Sequence, residues 1–350
     1  MSNKTIYNCH NHLFTHENIP NGYFPFFLVP AARFGPFRWI LSGVMKMIVP
    51  WTNHDKVHRY SAFIKATYRE TQEENLKHLI GYYPIGTKFI VLPMDMAYMG
   101  AGKVKEDIDK QHDEVARLAN SQKYRDIMIP FAQIDPRRPN SLDRLISLVE
   151  RENFKGVKIY PTLGYRPDDK VLMEEIYPYM VQRNIPLLAH CSPGSVNSKD
   201  MSKEEAHSFA DPYNYKKVME TFPDLRICLG HFGGINEWRR HLNEPRSIEN
   251  PTWLTKIIDL IQSGKYPNLY TDISYTIFNF QENAPFLKIL LEDDDISPKV
   301  LFGSDFYMVE SEKYSEKRLS IDLRYALGED AFWKIANENP VKYLNGQEAE

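Results

Sequence analysis

The first residues of this sequence whose types and spacing could do chemistry are two histidines separated by one position, His10 and His12. They lie at the end of a short run, Thr5–Asn8, whose composition is typical of a β-strand. Side chains two positions apart on a strand point the same way, so both imidazoles would face one side, as two ligands of one metal ion must. A single His-x-His pair also arises by chance, and further ligands are needed to give it weight.

Those ligands follow other apolar runs further along the chain: His190, His231 and Asp305. Histidines together with one carboxylate, and a water or substrate completing the sphere, suit Zn²⁺ or a similar divalent ion. Such an ion brings the pKa of a bound water to about 7. Asp305 would then bind the ion and accept the proton of that water. His231 would orient the substrate or carry a proton to the leaving group.

The elements that must position these residues are predicted from eight short apolar runs, separated mostly by stretches with helical periodicity. The runs are Thr5–Asn8, Lys88–Pro93, Ile127–Ile134, Gly156–Tyr160, Pro186–Ala189, Arg226–Gly230, Leu269–Ile273 and Val300–Gly303. The helices are predicted at Val104–Asn120, Ser141–Glu152, Leu172–Gln182, Pro212–Thr221, Trp253–Ser263, Lys317–Leu327 and Ala331–Leu344. Continuously apolar runs are expected of parallel strands buried on both faces. The predicted fold class is α/β, a (β/α)₈ TIM barrel whose strand ends converge on one mouth.

One long interval interrupts this regular spacing, and we assign it to an insertion at about residues 13–86, between strands one and two, within a single domain spanning 1–350. It would lie on the face of the barrel where active sites of this fold assemble. The insertion is rich in aromatic residues: Phe24, Phe26, Phe27, Phe34, Phe37, Trp39 and Trp51. These rings would either cover the substrate or pack the insertion onto the barrel.

Composition narrows the class of protein further. The formal net charge is −3, with acidic and basic residues mixed, so no nucleic-acid partner is expected. Three cysteines make no disulfide framework, and no signal peptide is recognised, which together predict a cytoplasmic protein. Charged residues and prolines interrupt the apolar segment 23–51, so no transmembrane segment is expected. A homodimer is compatible with the apolar insertion.

The whole set resembles the amidohydrolase superfamily, in its amidohydrolase-related (amidohydrolase 2) branch, which includes aminocarboxymuconate semialdehyde decarboxylase-like enzymes. The matching positions are His10-Asn-His12 at strand one, Lys158 at strand four, His190 and His231 after strands five and six, and Asp305 after strand eight. The phrases Gly156-Val-Lys-Ile-Tyr-Pro161, His231-Phe-Gly-Gly234 and Gly303-Ser-Asp305 also resemble this branch. By this resemblance, His10, His12, His190 and Asp305 would bind one metal ion, and His231 would be the catalytic imidazole.

The presence of Lys158 is compatible with two kinds of metal centre, one with a single ion and one with two. In the binuclear members of the superfamily a strand-four lysine is carboxylated and bridges two metal ions. In the branch that this chain resembles most, one metal is usual, and Lys158 would then contribute a positive charge to substrate binding. We expect one divalent ion, Zn²⁺ first, with the binuclear site on carboxylated Lys158 as the alternative.

Three functions are compatible with this set. The main hypothesis is a metal-dependent hydrolase that attacks a small-molecule amide, lactone or ester-like bond through a metal-activated water, with Asp305 as general base. The alternative is non-oxidative, metal-dependent decarboxylation of an unsaturated or aromatic carboxylic acid. A catalytically silent barrel that serves as a binding protein is disfavoured, because no ligand position has been lost.

Overall fold

A computed structural model describes residues 4–23, 69–194, 196–306 and 314–346 of the chain. Eight parallel strands follow one another around a single sheet in chain order. They are β1 (Tyr7–His12), β2 (Lys88–Leu92), β3 (Met128–Gln133), β4 (Gly156–Ile159), β5 (Leu187–Ala189), β6 (Ile227–Leu229), β7 (Leu269–Asp272) and β8 (Val300–Leu301). All eight predicted strands are present, although β1 runs further than its predicted end and contains both histidines of the first motif.

The sheet closes almost completely on itself, because the chain that follows β8 bonds back to β1. The amide of Cys9 donates to the carbonyl of Phe302 at 2.9 Å, and the amide of Asp305 donates to the carbonyl of His10 at 2.8 Å. Asn11 and Phe306 form a parallel bridge at the same seam. The α/β prediction is therefore confirmed as a nearly closed, TIM-like barrel of eight parallel strands.

Helices occupy most of the connections. They are α1 (Gln72–Ile80), α2 (Ile108–Ala119), α3 (Ser141–Arg151), α4 (Tyr177–Gln182), α5 (Lys203–Phe209), α6 (Lys216–Thr221), α7 (Ile235–Asn243), α8 (Trp253–Gln262), α9 (Phe280–Leu290), α10 (Glu316–Leu327), α11 (Glu329–Trp333) and α12 (Asn339–Asn345). A capping box on Thr71 begins α1, and the Ser202 side chain caps α5. Where one regular helix was predicted at Leu172–Gln182, a π-helical turn at Leu172–Ile176 precedes α4.

Two layers of side chains fill the inside of the barrel. The lower layer is apolar, and we define it as Cys9, Ile90, Leu92, Phe131, Leu188, Cys228, Tyr270, Leu301 and Tyr343. Tyr343 comes from α12 and packs against Phe131 and Tyr270, at ring-centroid distances of 6.5 and 5.4 Å. The layer above it, towards the carboxyl ends of the strands, is polar and is described below.

The register of β1 explains how His10 reaches the interior. Between Asn8 and Asn11 the strand advances three residues while β2 advances two, so β1 carries one extra residue. Strict alternation after Cys9, which lies in the lower layer, would turn His10 away from the interior. The extra residue resets the alternation, as β-bulges beside active sites commonly do.

The insertion predicted at 13–86 is described only in part. Its described ends hold a short 3₁₀ turn at His16–Asn18 and helix α1, and the Asn75 side chain ties α1 to the carbonyl of Phe14. The aromatic residues Phe24 to Trp51, and with them the predicted substrate cover, lie outside the described residues. Within the described ranges, none of the helices combines the length and the apolar character that crossing a bilayer requires.

Candidate metal centre and active site

The carboxyl ends of the strands bring the predicted site residues to the mouth of the barrel. His10 and His12 end β1, Lys158 lies in β4, and His190 directly follows β5. All six predicted residues are buried: His10, His12, Lys158, His190, His231 and Asp305. Buried polar groups of this number are costly unless they bond to one another or to a ligand. Their mutual distances therefore decide what the site can hold.

His10 has both ring nitrogens occupied. Its Nδ1 lies 2.9 Å from Oδ2 of Asp272, the last residue of β7, and its Nε2 lies 3.2 Å from Nζ of Lys158. Space for the ring depends on two glycines. A Cβ at Gly303 would lie 3.0 Å from Cβ of His10, and one at Gly230 would lie 3.2 Å from its Cε1. A larger residue at either strand end would therefore crowd the imidazole.

His12 and Asp305 lie beside His10 at the seam of the barrel. One ligand atom of each of these three residues falls within 4.8 Å of the other two, a grouping that could hold a metal ion. His12 Nδ1 is 3.2 Å from the carbonyl of Leu92, which leaves Nε2 free, 3.8 Å from Oδ1 of Asp305. Among the described residues that Oδ1 has no hydrogen-bond donor, although it is buried. A buried acceptor without a donor, next to a free imidazole nitrogen, fits a divalent cation.

His190 and His231 form a second pair rather than joining that group. His231 Nε2 lies 3.0 Å from Nδ1 of His190, and Nε2 of His190 lies 3.0 Å from the carbonyl of Ser192. The structure thus brings His10, His12 and Asp305 together, and places His190 next to His231 with both its nitrogens engaged. The ring of His190 is also stacked on Tyr160, with centroids 4.1 Å apart and planes at 8°.

Burial sets the charge state of these groups. Burial lowers the pKa of His10 to about 4, with Lys158 adding to the effect, and lowers that of His231 to about 3. The pKa values of His12 and His190 fall as well, first because of burial. Neutral imidazoles are the form that binds metal ions. Burial lowers the pKa of Lys158 to about 8 and raises the pKa of Asp305 well above its ordinary range.

Backbone strain is concentrated at the same place. His231, Phe232, Tyr275 and Asp305 all have positive φ, between 46° and 67°, where residues other than glycine are uncommon. Each such residue costs on the order of 1–3 kcal/mol, which the surrounding structure must supply. Strain at the ends of β6, β7 and β8 marks this edge of the barrel as built for a purpose other than stability.

A cavity of about 130 Å³ opens onto the site. His12, His190, His231 and Asp305 form its polar floor. The described part of its wall is mainly apolar or uncharged: Met94, Tyr160, Ser192, Pro193, Gly194, Val196, Ile235, Asn236 and Tyr275. A cavity of about 150 Å³ can hold a benzene ring, so the space matches a molecule of single-ring size.

Three other buried polar residues lie at or near strand ends: Asp95, Gln133 and Asp272. Asp95 does not line the cavity; both its carboxylate oxygens bond to Arg138. Asp272, at the end of β7, is central to the site through its bond to His10. Gln133, the register partner of Lys158, was missed. It is buried, and its amide group has no hydrogen-bond partner in the described parts of the chain. Its position at the end of β3 was the one signal available.

A nearly closed parallel barrel with a cluster of histidines and a carboxylate at the carboxyl ends of its strands defines a class of metal-dependent enzymes. Residues 8–345 match the family model described as Amidohydrolase, and the chain belongs to this amidohydrolase 2 family. The sequence-based resemblance is thereby confirmed. No curated protein matches the chain significantly.

Solved structures support the fold over nearly the whole length. An uncharacterised TIM-barrel protein from Bordetella bronchiseptica shares 16% identity, with a TM-score of 0.56, over 97% of this chain and 98% of its own. The 5-carboxyvanillate decarboxylase LigW from Sphingomonas paucimobilis shares 13%, at 0.56, over 97% and 98%. LigW2 from Novosphingobium aromaticivorans, solved with manganese and 3-methoxy-4-hydroxy-5-nitrobenzoic acid, shares 14%, at 0.55, over 98% and 97%. Identities this low establish the fold alone.

Proposed function

We propose that this protein is a metal-dependent decarboxylase of a small aromatic or unsaturated carboxylic acid. The observation that carries the proposal is the ring-sized cavity above His12 and Asp305, walled by Tyr160 and other uncharged side chains. Two proteins with this fold are 5-carboxyvanillate decarboxylases, and one of them was solved with a substituted benzoic acid. The preference reverses the order given by the sequence, in which hydrolysis came first.

The metal centre is proposed on His10, His12, His190 and Asp305, as the family resemblance implies. The unpaired Oδ1 of Asp305 and the free Nε2 of His12 support this set. A bound divalent ion would supply positive charge that holds the substrate's oxygen atoms and stabilises the negative charge left when carbon dioxide departs. Joining this set requires His190 to exchange its bond to His231 or Ser192 for the ion. Zn²⁺ fits the donor types, and manganese occupies LigW2.

Decarboxylation also requires a proton to replace the lost carboxylate, and side chains of the site can supply it. When the carbon–carbon bond to the carboxylate breaks, its electron pair stays on the substrate carbon, which must then accept a proton. Asp305 lines the cavity, and its Oδ1 has no hydrogen-bond donor among the described residues, so we assign it the uptake of a proton from solvent and its delivery to that carbon. We assign His231, a neutral imidazole on the floor of the same cavity, to the orientation of the substrate.

Hydrolysis remains the second candidate because of one observation on Asp305. A carboxylate oxygen that lines the cavity and has no described donor can accept a proton from a water molecule, as a general base does. Lys158 is proposed to contribute positive charge beneath the site, since its Nζ lies against His10. Its carboxylation in a binuclear site is the alternative to that role.

The test presents the metal-loaded protein with a panel of hydroxylated benzoic acids and, separately, with matched lactones and amides. Release of carbon dioxide from at least one acid, with the decarboxylated ring as product, is expected. Turnover of lactones or amides alone would replace the proposal by hydrolysis. Metal analysis is expected to find one equivalent per chain, and two equivalents would favour the binuclear site.

The remaining parts of the proposal concern the protein as a whole. We propose one domain over residues 1–350, a cytoplasmic location, a homodimer and small-molecule substrates without a nucleic-acid partner. Limited proteolysis, cell fractionation and the native mass in solution test the first three of these statements. A nucleic-acid gel-shift assay tests the last, and no shift is expected.

A further inference from the structure

We propose that Asp272 is the positioning residue that prepares the metal centre, by fixing which nitrogen of His10 is free to bind the ion. This inference rests on the proposed metal site but concerns a residue outside its ligand set. Asp272 ends β7 and is fully buried. Its carboxylate accepts hydrogen bonds from the ring of His10 and from the backbone N–H of His231.

The contact with His10 settles the tautomer. An ionised carboxylate can only accept, so the proton must sit on Nδ1 of His10, 2.9 Å from Oδ2 of Asp272. The other nitrogen, Nε2, then carries the lone pair that a metal ion needs. Lys158 Nζ, a donor 3.2 Å from Nε2, agrees with this assignment. A carboxylate behind a ligating histidine is a common arrangement in metal sites, where it fixes both the ring and its tautomer.

The same argument decides between two candidate groups of ligands. His10, His231 and Asp272 also lie close enough to one another to be considered a metal site. In that group, however, Nδ1 of His10 already donates to Asp272, and the backbone amide of His231 donates to Oδ1 of Asp272 at 3.1 Å. We therefore assign these three residues to a hydrogen-bonded support and the His10, His12 and Asp305 group to the metal.

Ser274 extends the support to His231. Its hydroxyl forms a short bond to Oδ1 of Asp272 and lies 3.0 Å from Nδ1 of both His10 and His231. Its carbonyl, which can only accept, is 3.1 Å from Nδ1 of His231. A proton on Nδ1 of His231 satisfies this contact. Asp272 and Ser274 thus orient the metal-binding ring and the catalytic ring together.

The experiment compares Asp272→Asn with Asp95→Asn. Both residues are buried aspartates at strand ends, but Asp95 bonds to Arg138 and not to the site. In Asp272→Asn an amide N–H can face Nδ1 of His10, which favours the proton on Nε2 and removes the lone pair. We expect Mn²⁺ and Zn²⁺, each titrated alone, to bind 10- to 100-fold more weakly to Asp272→Asn. Asp95→Asn should bind both as the wild type does.

A second measurement keeps the proposal testable if Asp272→Asn folds poorly. In the metal-free protein, ¹⁵N NMR of the histidine rings should report the proton of His10 on Nδ1, and Ser274→Ala should leave it there. Wild-type metal affinity in folded Asp272→Asn, or a His10 proton on Nε2 in the wild type, would overturn the proposal. Because no substrate is used, these outcomes are independent of whether the enzyme decarboxylates or hydrolyses.

Discussion

The lower layer of the barrel and the site above it are built from the same strands but differ completely in chemistry. Leu188 and Tyr270 belong to the apolar lower layer, and two positions further along their strands lie His190 and Asp272. Two residues of a strand span roughly 6.6 Å. The transition from a packed core to a functional site therefore takes one pleat, and stability and activity can be separated at that distance.

The largest effect on activity is expected from Asp305→Asn, in the polar layer above the lower layer. The amide cannot take up or deliver the proton, and it is a poorer metal ligand, so kcat should fall by about 10²- to 10⁴-fold. The measurement is steady-state turnover of whichever acid the wild type converts. Far-UV circular dichroism and the unfolding midpoint should be unchanged, since Asn has nearly the size of Asp and tolerates a positive φ as Asp does. Activity within tenfold of the wild type would remove Asp305 from the chemistry.

The matched change in the lower layer is Leu188→Ala. Truncation of a fully buried leucine should lower the free energy of unfolding by about 2–5 kcal/mol. Denaturant unfolding measures this loss, and metal titration of the folded variant should give the wild-type affinity. If the variant is fully folded and still binds metal more weakly than the wild type, the two layers are not independent.

Gly303→Ala tests the boundary between the layers. The added Cβ would lie 3.0 Å from Cβ of His10 and 3.3 Å from Cβ of Ser274, closer than side-chain carbons normally approach. Overpacking of this kind costs about 1–3 kcal/mol of stability. Because the crowded residue is His10, we expect weaker metal binding as well. Gly81→Ala is the control for the loss of a glycine outside the left-handed region, because Gly81 has a φ of −63° and lies at the end of α1, away from the site.

The smallest effect concerns a buried histidine outside the barrel. His112 in α2 accepts a hydrogen bond from the backbone N–H of Gln133 at 3.2 Å, and burial, with Arg144 and Arg138, lowers its pKa to about 3. The unfolded chain therefore binds a proton near pH 6.5 that the folded protein refuses, so stability falls as the pH drops from there towards 3. His112→Gln should reduce this slope by up to about 1.4 kcal/mol per pH unit.

Denaturant unfolding at about pH 8 and about pH 5 measures that slope. His207→Gln provides the comparison, because burial also lowers the pKa of this half-buried residue and a smaller change is expected there. If the acid sensitivity of His112→Gln equals that of the wild type, His112 does not contribute to it and the prediction is wrong.

The eight strands could be predicted because each is a short apolar run, and apolar runs of this kind report burial on both faces. The candidate site residues were chosen from the family resemblance and the strand ends, and the structure places them at one end of the barrel. Their arrangement did not follow, since it depends on contacts between distant segments. The extra residue in β1 is one example. It turns His10 towards the interior, but the sequence from Asn8 to Asn11 does not predict a bulge. The bond from Asp272 to His10 is another, because the two residues lie on strands β7 and β1.

The seam between β1 and the chain after β8 has a consequence for biosynthesis. His10 and Asp305, which share a backbone hydrogen bond and the proposed ion, are separated by nearly the whole sequence. Contacts between such distant positions are slow to form, because a long loop must first be closed. A nascent chain thus exposes His10 and His12 long before Asp305 leaves the ribosome, and the ion's complete coordination sphere becomes available only when the last strand docks. A metal ion bound there would stabilise the complete barrel relative to every partly synthesised chain, because only the complete barrel brings all the ligands together.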